Sequence, residues 1–298
     1  MNSIPNAPPG LRLHGVDHTA RPTWRLRETV HFYRDVLGLP LVHVISARGW
    51  GPETHPDFLH FFFDSGQGST IAFFYYLDSA EPESVDGRRN RRPVPDDHVN
   101  DATHTAWLVD SEDELKAWKK KLEDAGLDVS VETRHEVIES IYVRDPNGYF
   151  IEFTRKLRPL GDIDSKDAEL TIQAALEVED RAFAAGERVR HIDQIWARKA
   201  ALVENSLAAG KGGQRGVRIF VPRVEEFSSL VRDAEQRDDC AVLRGDQYDC
   251  IQCDGPLEFQ RKRLGLKPAV WYGLFTGGVS GNIAVLNRDL VRIEPVAA

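Results

Sequence analysis

The stretch that decides the fold is residues 133–152, TRHEVIESIYVRDPNGYFIE. Its centre, Asp145-Pro146-Asn147-Gly148, is typical of a tight turn, because proline presets φ, asparagine tolerates unusual backbone angles and glycine adopts positive φ. Runs of β-branched and aromatic residues flank the turn at 140–143 and 149–154, which predicts a β-hairpin. The second strand is apolar except for Glu152. A carboxylate in such a strand is costly unless it is paired with a cation or bound to a metal.

The hairpin belongs to the second of two copies of one pattern. Three landmarks recur in both copies: His-Thr-Ala at 18–20 and 104–106, an aromatic residue 14 positions after the histidine (Phe32 and Trp118), and a glycine four positions before Ala72 and before Glu152. These landmarks predict two βαβββ modules, at 11–78 and 101–157, and the second module is expected to contain a strand at 128–132. Duplicated modules of this kind pair with each other, so equivalent positions are expected to face one shared space.

Composition limits the class of protein. The 298 residues carry a net charge of -9, with 41% apolar and 29% charged residues, which argues for a soluble protein and against a nucleic-acid binder. No run approaches membrane length, and the three prolines of residues 1–13 argue against a signal peptide. Three cysteines do not make a disulfide framework, so a reducing, cytoplasmic location is predicted. Cys250 and Cys253 form a C-x-x-C, but on a predicted strand their thiols would point to opposite faces, which argues against a zinc site.

Residues 158–298 show no repeat of the module. Residues 166–208 are helical by composition, with Leu170, Ala174 and Leu176 spaced for burial. A strand at 217–221, a helix at 224–234 and a β meander that ends in LVRIEP are predicted after them. The expected architecture is therefore α+β: a paired βαβββ domain at 11–157, followed by a helical segment and a small α+β domain of unknown role at 158–298.

Three stretches carry a family resemblance: GVDHTARPTWRLRETVHFYRDVLGLPL (15–41), THTAWLVD (103–110) and DPNGYFIEF (145–153). They resemble the vicinal-oxygen-chelate superfamily, which includes glyoxalase I, bleomycin-resistance proteins, fosfomycin-resistance enzymes and extradiol dioxygenases. The resemblance covers about residues 11–157. It implies a cupped sheet in which the first strand of each copy and the last strand of the second copy supply metal ligands. Those ligands would be His18, His104 and Glu152.

The chemistry of this ligand set favours one branch of the family. Two imidazoles and one carboxylate form a facial triad that leaves about three positions open on an octahedral ion such as Fe(II). Glyoxalase I-like members usually add a fourth, acidic ligand on the last strand of the first copy. The repeat register places Ala72 there, and alanine cannot ligate a metal. The resemblance therefore implies an oxygen-activating site that holds Fe(II), with Mn(II) as the alternative, and takes O2 as co-substrate.

Three further residues are candidates for catalysis. Residues 133–152 resemble the extradiol dioxygenase motif, which implies that His135 contacts substrate or oxygen and that Tyr142 contacts the ring-bearing oxygen. The register equates Tyr142 with Phe62, and side chains alternate along a strand, so His60 should lie on the same face as Phe62. There a histidine could take and return a phenolic proton. His55, on the preceding loop, is a competing candidate for this role.

The predicted function is that of an extradiol-type dioxygenase that opens a catechol-like aromatic ring. Two alternatives stay open: a lyase, isomerase or thiol transferase in which the metal is only a Lewis acid, and a non-catalytic protein that binds an aromatic ligand. The expected partner is a small aromatic substrate, with no nucleic acid and no membrane, and self-association is undecided. Substrate identity depends on loops 47–57 and 79–100 and is not predicted.

Overall fold

The computed structural model describes residues 15–48, 55–83, 87–88, 92, 101–206 and 216–296. Part of the loops at 47–57 and 79–100, and the glycine-rich break at 209–213, lie outside these ranges. The chain divides into two compact units: one within Met1–Val131 and Ile141–Arg155, the other within Glu132–Ser140 and Lys156–Ala298.

Two four-stranded sheets carry the duplicated pattern. The elements of the first copy are β1 (His18–Thr23), α1 (Leu26–Val30) continued by a π-helical segment (His31–Val36), β2 (Leu41–Ala47), β3 (Phe58–Gly66) and β4 (Ser69–Tyr76). Those of the second are β5 (Thr105–Leu108), α2 (Glu112–Asp124), β6 (Thr133–Arg134), β7 (Ile138–Arg144) and β8 (Phe150–Lys156). The strand orders are β1-β4-β3-β2 and β5-β8-β7-β6, and the outer strands β1 and β5 run parallel to β4 and β8. The two sheets share one order, so the α+β fold with duplicated βαβββ modules is confirmed.

Strand pairing also establishes the repeat register. Ala20 pairs with Ala72 in the first sheet, and Ala106 pairs with Glu152 in the second. Each alanine closes a His-Thr-Ala triplet, so His18 and His104 occupy equivalent positions. The position equivalent to Glu152 is occupied by Ala72, as the landmarks predicted.

One face of each sheet packs against the helices of the first unit. The core there is rich in aromatic and β-branched side chains, including Tyr33, Phe61, Phe63, Phe73, Ile141, Ile151 and Phe153. Burying one such side chain is worth about 1.5–3 kcal/mol. Phe74 points the other way and stacks on His60, with ring centroids 3.7 Å apart. The opposite face of β3 and β4 is therefore left for the candidate site.

The strand predicted at 128–132 is wrong, because only Thr133–Arg134 pairs as a strand in this region. Ser130 explains the difference. Its backbone N–H donates to the carbonyl of Tyr142 at 2.9 Å, but its side-chain Oγ accepts the Tyr142 N–H at 2.9 Å. The Ser130 hydroxyl therefore accepts the N–H that a backbone carbonyl would accept in a β ladder, and the ladder does not continue from this residue.

The second unit contains two helices followed by two small sheets. Its elements are α3 (Asp162–Ala184), α4 (Ile192–Ser206), β9 (Val217–Pro222), a 3₁₀ turn (Glu225–Phe227), α5 (Ser228–Glu235), β10 (Cys240–Arg244), β11 (Tyr248–Cys253), β12 (Leu257–Gln260), α6 (Arg261–Leu264), α7 (Pro268–Tyr272), β13 (Val279–Ser280), β14 (Asn282–Leu286) and β15 (Leu290–Glu294). The sheet orders are β10-β11-β9-β13 and β12-β15-β14. Within the described ranges, no helix combines the length and apolar character that crossing a membrane requires.

The apolar stripe of α3 differs from the predicted one. Leu170, Ala174 and Val178 are buried, whereas Leu176 is 54% exposed. Residues four apart share one side of a helix, but Leu176 lies only two positions beyond Ala174 and therefore faces away from the stripe. The expectation that Leu176 is buried is wrong.

The cysteines include one disulfide, which the count of three cysteines did not predict. Cys240 and Cys253 face each other on the paired strands β10 and β11, with their Cα atoms 4.6 Å apart, and they are bonded. Cys250, on the same strand as Cys253, is a buried free thiol in a different core cluster. The two cysteines of the C-x-x-C therefore lie on opposite faces of β11, as strand alternation predicted.

Candidate functional site

The second copy brings two of the predicted metal ligands into contact. His104 Nε2 lies 3.0 Å from Glu152 Oε2. The Glu152 side chain is only 6% exposed, while that of His104 is 33% exposed. A buried carboxylate of this kind needs a cationic or donor partner. Glu152 therefore faces the first strand of its own copy, as its place in an apolar strand suggested.

The opposite nitrogen of the His104 ring is also fixed. Nδ1 donates to the backbone carbonyl of Asp101 at 2.8 Å. Since a carbonyl can only accept, Nδ1 carries the proton and Nε2 is the nitrogen that faces Glu152. The ring of Phe150 meets the imidazole edge-to-face, with centroids 6.3 Å apart and planes at 90°.

The first copy forms a cluster of imidazole and phenyl rings around His18 and His60. The ring centroids of His18 and His60 are 6.4 Å apart, and that of Phe62 lies 5.7 Å from His18 and 4.2 Å from His60. His43 also contacts Phe62, at 5.4 Å. His60 and Phe62 thus share a face with His18, which confirms the prediction from strand alternation. The catalytic role of His60 stays a prediction.

His60 is held as a neutral imidazole. It is 6% exposed, and its Nδ1 donates to the Phe73 carbonyl at 3.2 Å. Burial lowers the pKa of His60, electrostatic interaction with His18 and His43 lowers it further, and the hydrogen bond to the Phe73 carbonyl opposes this. With Nδ1 occupied, Nε2 keeps its lone pair. This is the state that a general base requires.

The residues fit a metal ion only in part. The donor types of His18, His104 and Glu152 suit a divalent metal such as Fe(II) or Mn(II). His104 and Glu152 are in contact, but His18 donates from Nδ1 to Asp17 at 2.7 Å. Among the described residues, no three His, Cys, Asp or Glu side chains are gathered closely enough to hold one ion. The arrangement therefore presents a two-residue donor pair, not a complete triad.

The remaining candidates lie in different surroundings. Tyr142 belongs to the first unit, and its ring stacks on Phe150 with centroids 4.9 Å apart and planes at 11°. His135 belongs to the second unit, where its backbone N–H donates to Ile138. The competing candidate His55 packs on Phe58 and Tyr76 and does not share the His18 cluster's contacts with Phe62. The roles of Tyr142 and His135 stay predictions.

His135 lines a cavity of about 310 Å³ that is formed within the second unit. Arg134, Glu136, Arg158 and Lys267 are among the other lining residues. Burial raises the pKa of Glu136; the charges of Asp167 and Glu226 raise it further, against the opposing effects of Arg158 and Lys199. The sequence motif around His135 contained no sign of this cavity, because its other walls come from distant segments.

Replacing Glu136 with glutamine is expected to stabilise the second unit at neutral pH. Because folding raises the pKa of Glu136, the carboxyl loses its proton at a lower pH in the unfolded chain than in the folded one. The contribution of Glu136 to the free energy of unfolding is therefore greatest below its ordinary pKa of 4.5, and it is lost as the pH rises through its pKa in the folded protein. Glutamine does not titrate and escapes this loss. Urea unfolding at about pH 4 and about pH 7 should show a gain for Glu136→Gln that grows with pH. An equal gain at both pH values, or the same trend in the exposed control Glu225→Gln, would contradict the expectation.

Comparisons with known proteins gave one family match and several similar solved structures. The model of the Glyoxalase/Bleomycin resistance protein/Dioxygenase superfamily matches residues 15–153. Similar solved structures include a lactoylglutathione lyase from Agrobacterium tumefaciens (21% identity, TM-score 0.33, 48% of this chain and 95% of the other) and a glyoxalase/dioxygenase from Nostoc punctiforme (18%, 0.36, 53% and 99%). Another is a mutant of the fosfomycin resistance protein FosX from Listeria monocytogenes, complexed with Mn(II) and 1S,2S-dihydroxypropylphosphonic acid (19%, 0.32, 48% and 93%). A search of the curated proteins found no match.

The family match covers most of the duplicated pattern. The matched residues 15–153 contain both His-Thr-Ala triplets and all but the end of the closing strand β8. The two sheets have the same strand order and the same parallel outer pair. Residues 15–153, just under half of the chain, match the model of the Glyoxalase/Bleomycin resistance protein/Dioxygenase superfamily.

Proposed function

We propose that the paired modules form a metal-dependent extradiol-type dioxygenase, which cleaves a catechol-like aromatic substrate with O2. The observation that carries the proposal is the equivalence of His18 and His104 in the two sheets, with Glu152 beside His104 and Ala72 at the matching position of the first copy. The proposed ligand set has three members, of which His104 and Glu152 are in contact, and it lacks the fourth, acidic ligand. It suits a mononuclear site with open positions.

His104, Glu152 and His18 are the residues that would hold Fe(II), with Mn(II) as the alternative. Bound there, a divalent ion would act as a Lewis acid that makes the hydroxyl groups of a vicinal diol easier to deprotonate. His60 would accept the phenolic proton at Nε2, because Nδ1 is already committed to the Phe73 carbonyl. The Tyr142 hydroxyl would donate a hydrogen bond to the substrate oxygen that is attached to the aromatic ring. The role of His135, which lies in the second unit, stays a prediction from the sequence motif.

An aromatic substrate is supported by the face that His60 shares. The rings of His60, Phe74 and Tyr76 follow one another nearly parallel, with planes at 5° and 7° between successive rings. Phe58 meets Phe74 edge-to-face at 5.5 Å. Such a surface offers both stacking and edge-to-face contacts, which a planar aromatic ligand can use.

A second candidate function is a protein that binds an aromatic ligand without catalysis. The direct contact of His104 with Glu152, and the separation of His18 into another cluster, favour it. A third candidate keeps the metal but uses it only as a Lewis acid, as in a lyase, isomerase or thiol transferase.

Metal content and oxygen uptake separate these functions. The dioxygenase proposal expects about one Fe or Mn per chain in the purified protein, and oxygen consumption equal to product formed across a panel of catechols. Glu152→Gln, which keeps the shape but loses the charge, should weaken metal binding at least about tenfold, because even residues that only support a ligand typically contribute about 10–100-fold to metal affinity. Turnover without oxygen would support the Lewis-acid candidate. Binding of catechols by metal-free protein, with no turnover, would support the binding protein.

A further inference from the structure

A buried ion pair lies directly beside the proposed ligand His104. Arg144 Nη1 donates to Asp101 Oδ1 at 2.9 Å, and Nη2 donates to Oδ2 at 3.2 Å. Both side chains are only 4% exposed. The fork is held further by the carbonyls of Gly148 and Arg92, which accept from Nη1 and Nε at 3.2 Å each. This geometry fixes Asp101 relative to the end of β7.

Asp101 reaches His104 through its backbone. The Asp101 carbonyl accepts the Nδ1 proton of His104, and Nε2 of the same ring faces Glu152. A chain of contacts thus runs from Arg144 through Asp101 and His104 to Glu152. Every link of this chain lies within the first unit.

Phe150 connects the same groups from the side. The guanidinium carbon of Arg144 lies 5.0 Å from the centre of the Phe150 ring, whose other ring contacts include His104 at 6.3 Å and Tyr142 at 4.9 Å between centroids. One phenyl ring therefore packs against the ion pair, the proposed ligand and the proposed substrate-contacting tyrosine. A displacement of Arg144 would therefore also displace the side chains of His104 and Tyr142, because both pack against the same ring.

Stability alone is a weak reason for such a pair. Removing two charges from water costs about as much as their attraction returns, and well-packed apolar residues often replace a buried ion pair without loss. What the pair does supply is direction, because a bidentate arginine–carboxylate contact fixes both partners in one plane. Metal-binding histidines commonly depend on an acceptor at their second nitrogen for ring orientation.

We propose that Asp101 and Arg144 are positioning residues, which hold the segment 101–104 so that His104 keeps its proton on Nδ1 and directs Nε2 at Glu152. The importance of this for catalysis rests on the proposed function. The ring orientation itself is a property of the metal-free protein and can be tested without any metal.

The test is the hydrogen exchange of the His104 Nδ1–H, followed by ¹H–¹⁵N NMR of histidine-labelled, metal-free full chain. The wild type should show a slowly exchanging Nδ1–H. In Asp101→Asn and Arg144→Met its exchange should be at least about tenfold faster, the effect of losing one hydrogen bond. Leu122→Ala is the matched control: it removes a fully buried side chain of α2 and destabilises the unit generally, and it should leave the His104 signal in place.

Unchanged exchange in both folded variants would overturn the proposal, as would equal acceleration in the Leu122→Ala control. If either variant does not fold, Arg144→Lys provides the test, because lysine keeps the positive charge but cannot make the bidentate contact with Asp101. A His104 Nδ1–H that exchanges as slowly in Arg144→Lys as in the wild type would then contradict the positioning role. Metal titration with Mn(II) is the second readout, with affinity expected to fall about 10–100-fold in Asp101→Asn. If the wild type itself binds no metal, the proposed function fails while the exchange result still decides the role of Asp101 and Arg144.

Discussion

Replacing His60 with alanine is expected to lower kcat by about 10²–10⁴-fold, the range typical of losing a general acid or base. Bound metal should be unchanged, because His60 is not one of the three proposed ligands. The measurements are oxygen uptake with the best catechol of the panel and metal content of the same preparation.

The structure gives His60 the features that this role requires. Its Nδ1 is bonded to the Phe73 carbonyl, and burial lowers its pKa, so that Nε2 is an unprotonated acceptor at neutral pH. The ring is held flat against Phe74 at 3.7 Å, which restricts its orientation. Because the imidazole is already oriented and neutral, little further ordering is needed before it accepts a proton, and it can return that proton later in the reaction.

Two controls separate chemistry from packing. His60→Phe preserves an aromatic ring beside Phe74 but has no nitrogen, so its kcat should fall as far as that of His60→Ala. His55→Ala should keep wild-type turnover, since His55 packs on Phe58 and Tyr76 instead of the His18 cluster. Full activity in His60→Phe, or the large loss appearing in His55→Ala instead, would remove His60 from the scheme.

The parts of this site that could be predicted from the sequence follow from periodicity. Alternation along a strand placed His60 beside Phe62, and the repeated His-Thr-Ala triplets placed His18 and His104 at equivalent positions. Both rules depend only on counting residues along regular strands. Only the shared face of His60 and Phe62 follows from this counting; the catalytic role of His60 stays a prediction.

What could not be predicted depends on contacts between distant segments. Asp101 lies in no motif, and its proposed positioning role depends on the ion pair with Arg144, 43 residues later in the chain. His135 matched a family motif in sequence, yet it lies in the second compact unit, whose cavity is completed by segments far along the chain. The Ser130 hydroxyl, and not the Ser130 backbone carbonyl, accepts the Tyr142 N–H. Local β propensity does not predict a side-chain bond of this kind.

The Asp145-Pro146-Asn147-Gly148 turn shows the same limit. Its residue types predicted the hairpin correctly, and Gly148 does adopt a positive φ of 81°. They did not predict that the turn would join the two copies. Asn147 accepts from the Thr23 hydroxyl at 2.7 Å and donates to Thr29 at 3.0 Å, and Tyr33 donates to Asp145 at 2.9 Å. These three partners belong to the first copy, so the turn that closes the second copy also stabilises the pairing of the modules.

Asp145→Ala is therefore expected to destabilise the first unit by about 4 kcal/mol, near the upper end for one substitution. Asp145 is 2% exposed and accepts four hydrogen bonds. Two come from the backbone N–H groups of Asn147 and Tyr149 to Oδ1, and two from the side chains of Tyr33 and Asn147 to Oδ2. Alanine would remove the acceptor of all four bonds, although Asn147 Nδ2 would still donate to the Thr29 hydroxyl. The unfolding midpoint in urea, and a melting temperature lowered by about 10 °C, would measure the loss.

Asp145→Asn is the matched control, because its amide oxygen can still accept both backbone N–H groups. Its Nδ2 would replace Oδ2, where Tyr33 can turn its hydroxyl to accept, but the Asn147 amide would face a second donor. Burial raises the pKa of Asp145, so the charged form is the one that folding disfavours, and asparagine removes that cost. The loss in Asp145→Asn should accordingly be about 1–2 kcal/mol, clearly smaller than in the alanine variant. Equal losses in the two variants would mean that the carboxylate charge, and not the pair of backbone bonds, holds the turn against the first copy.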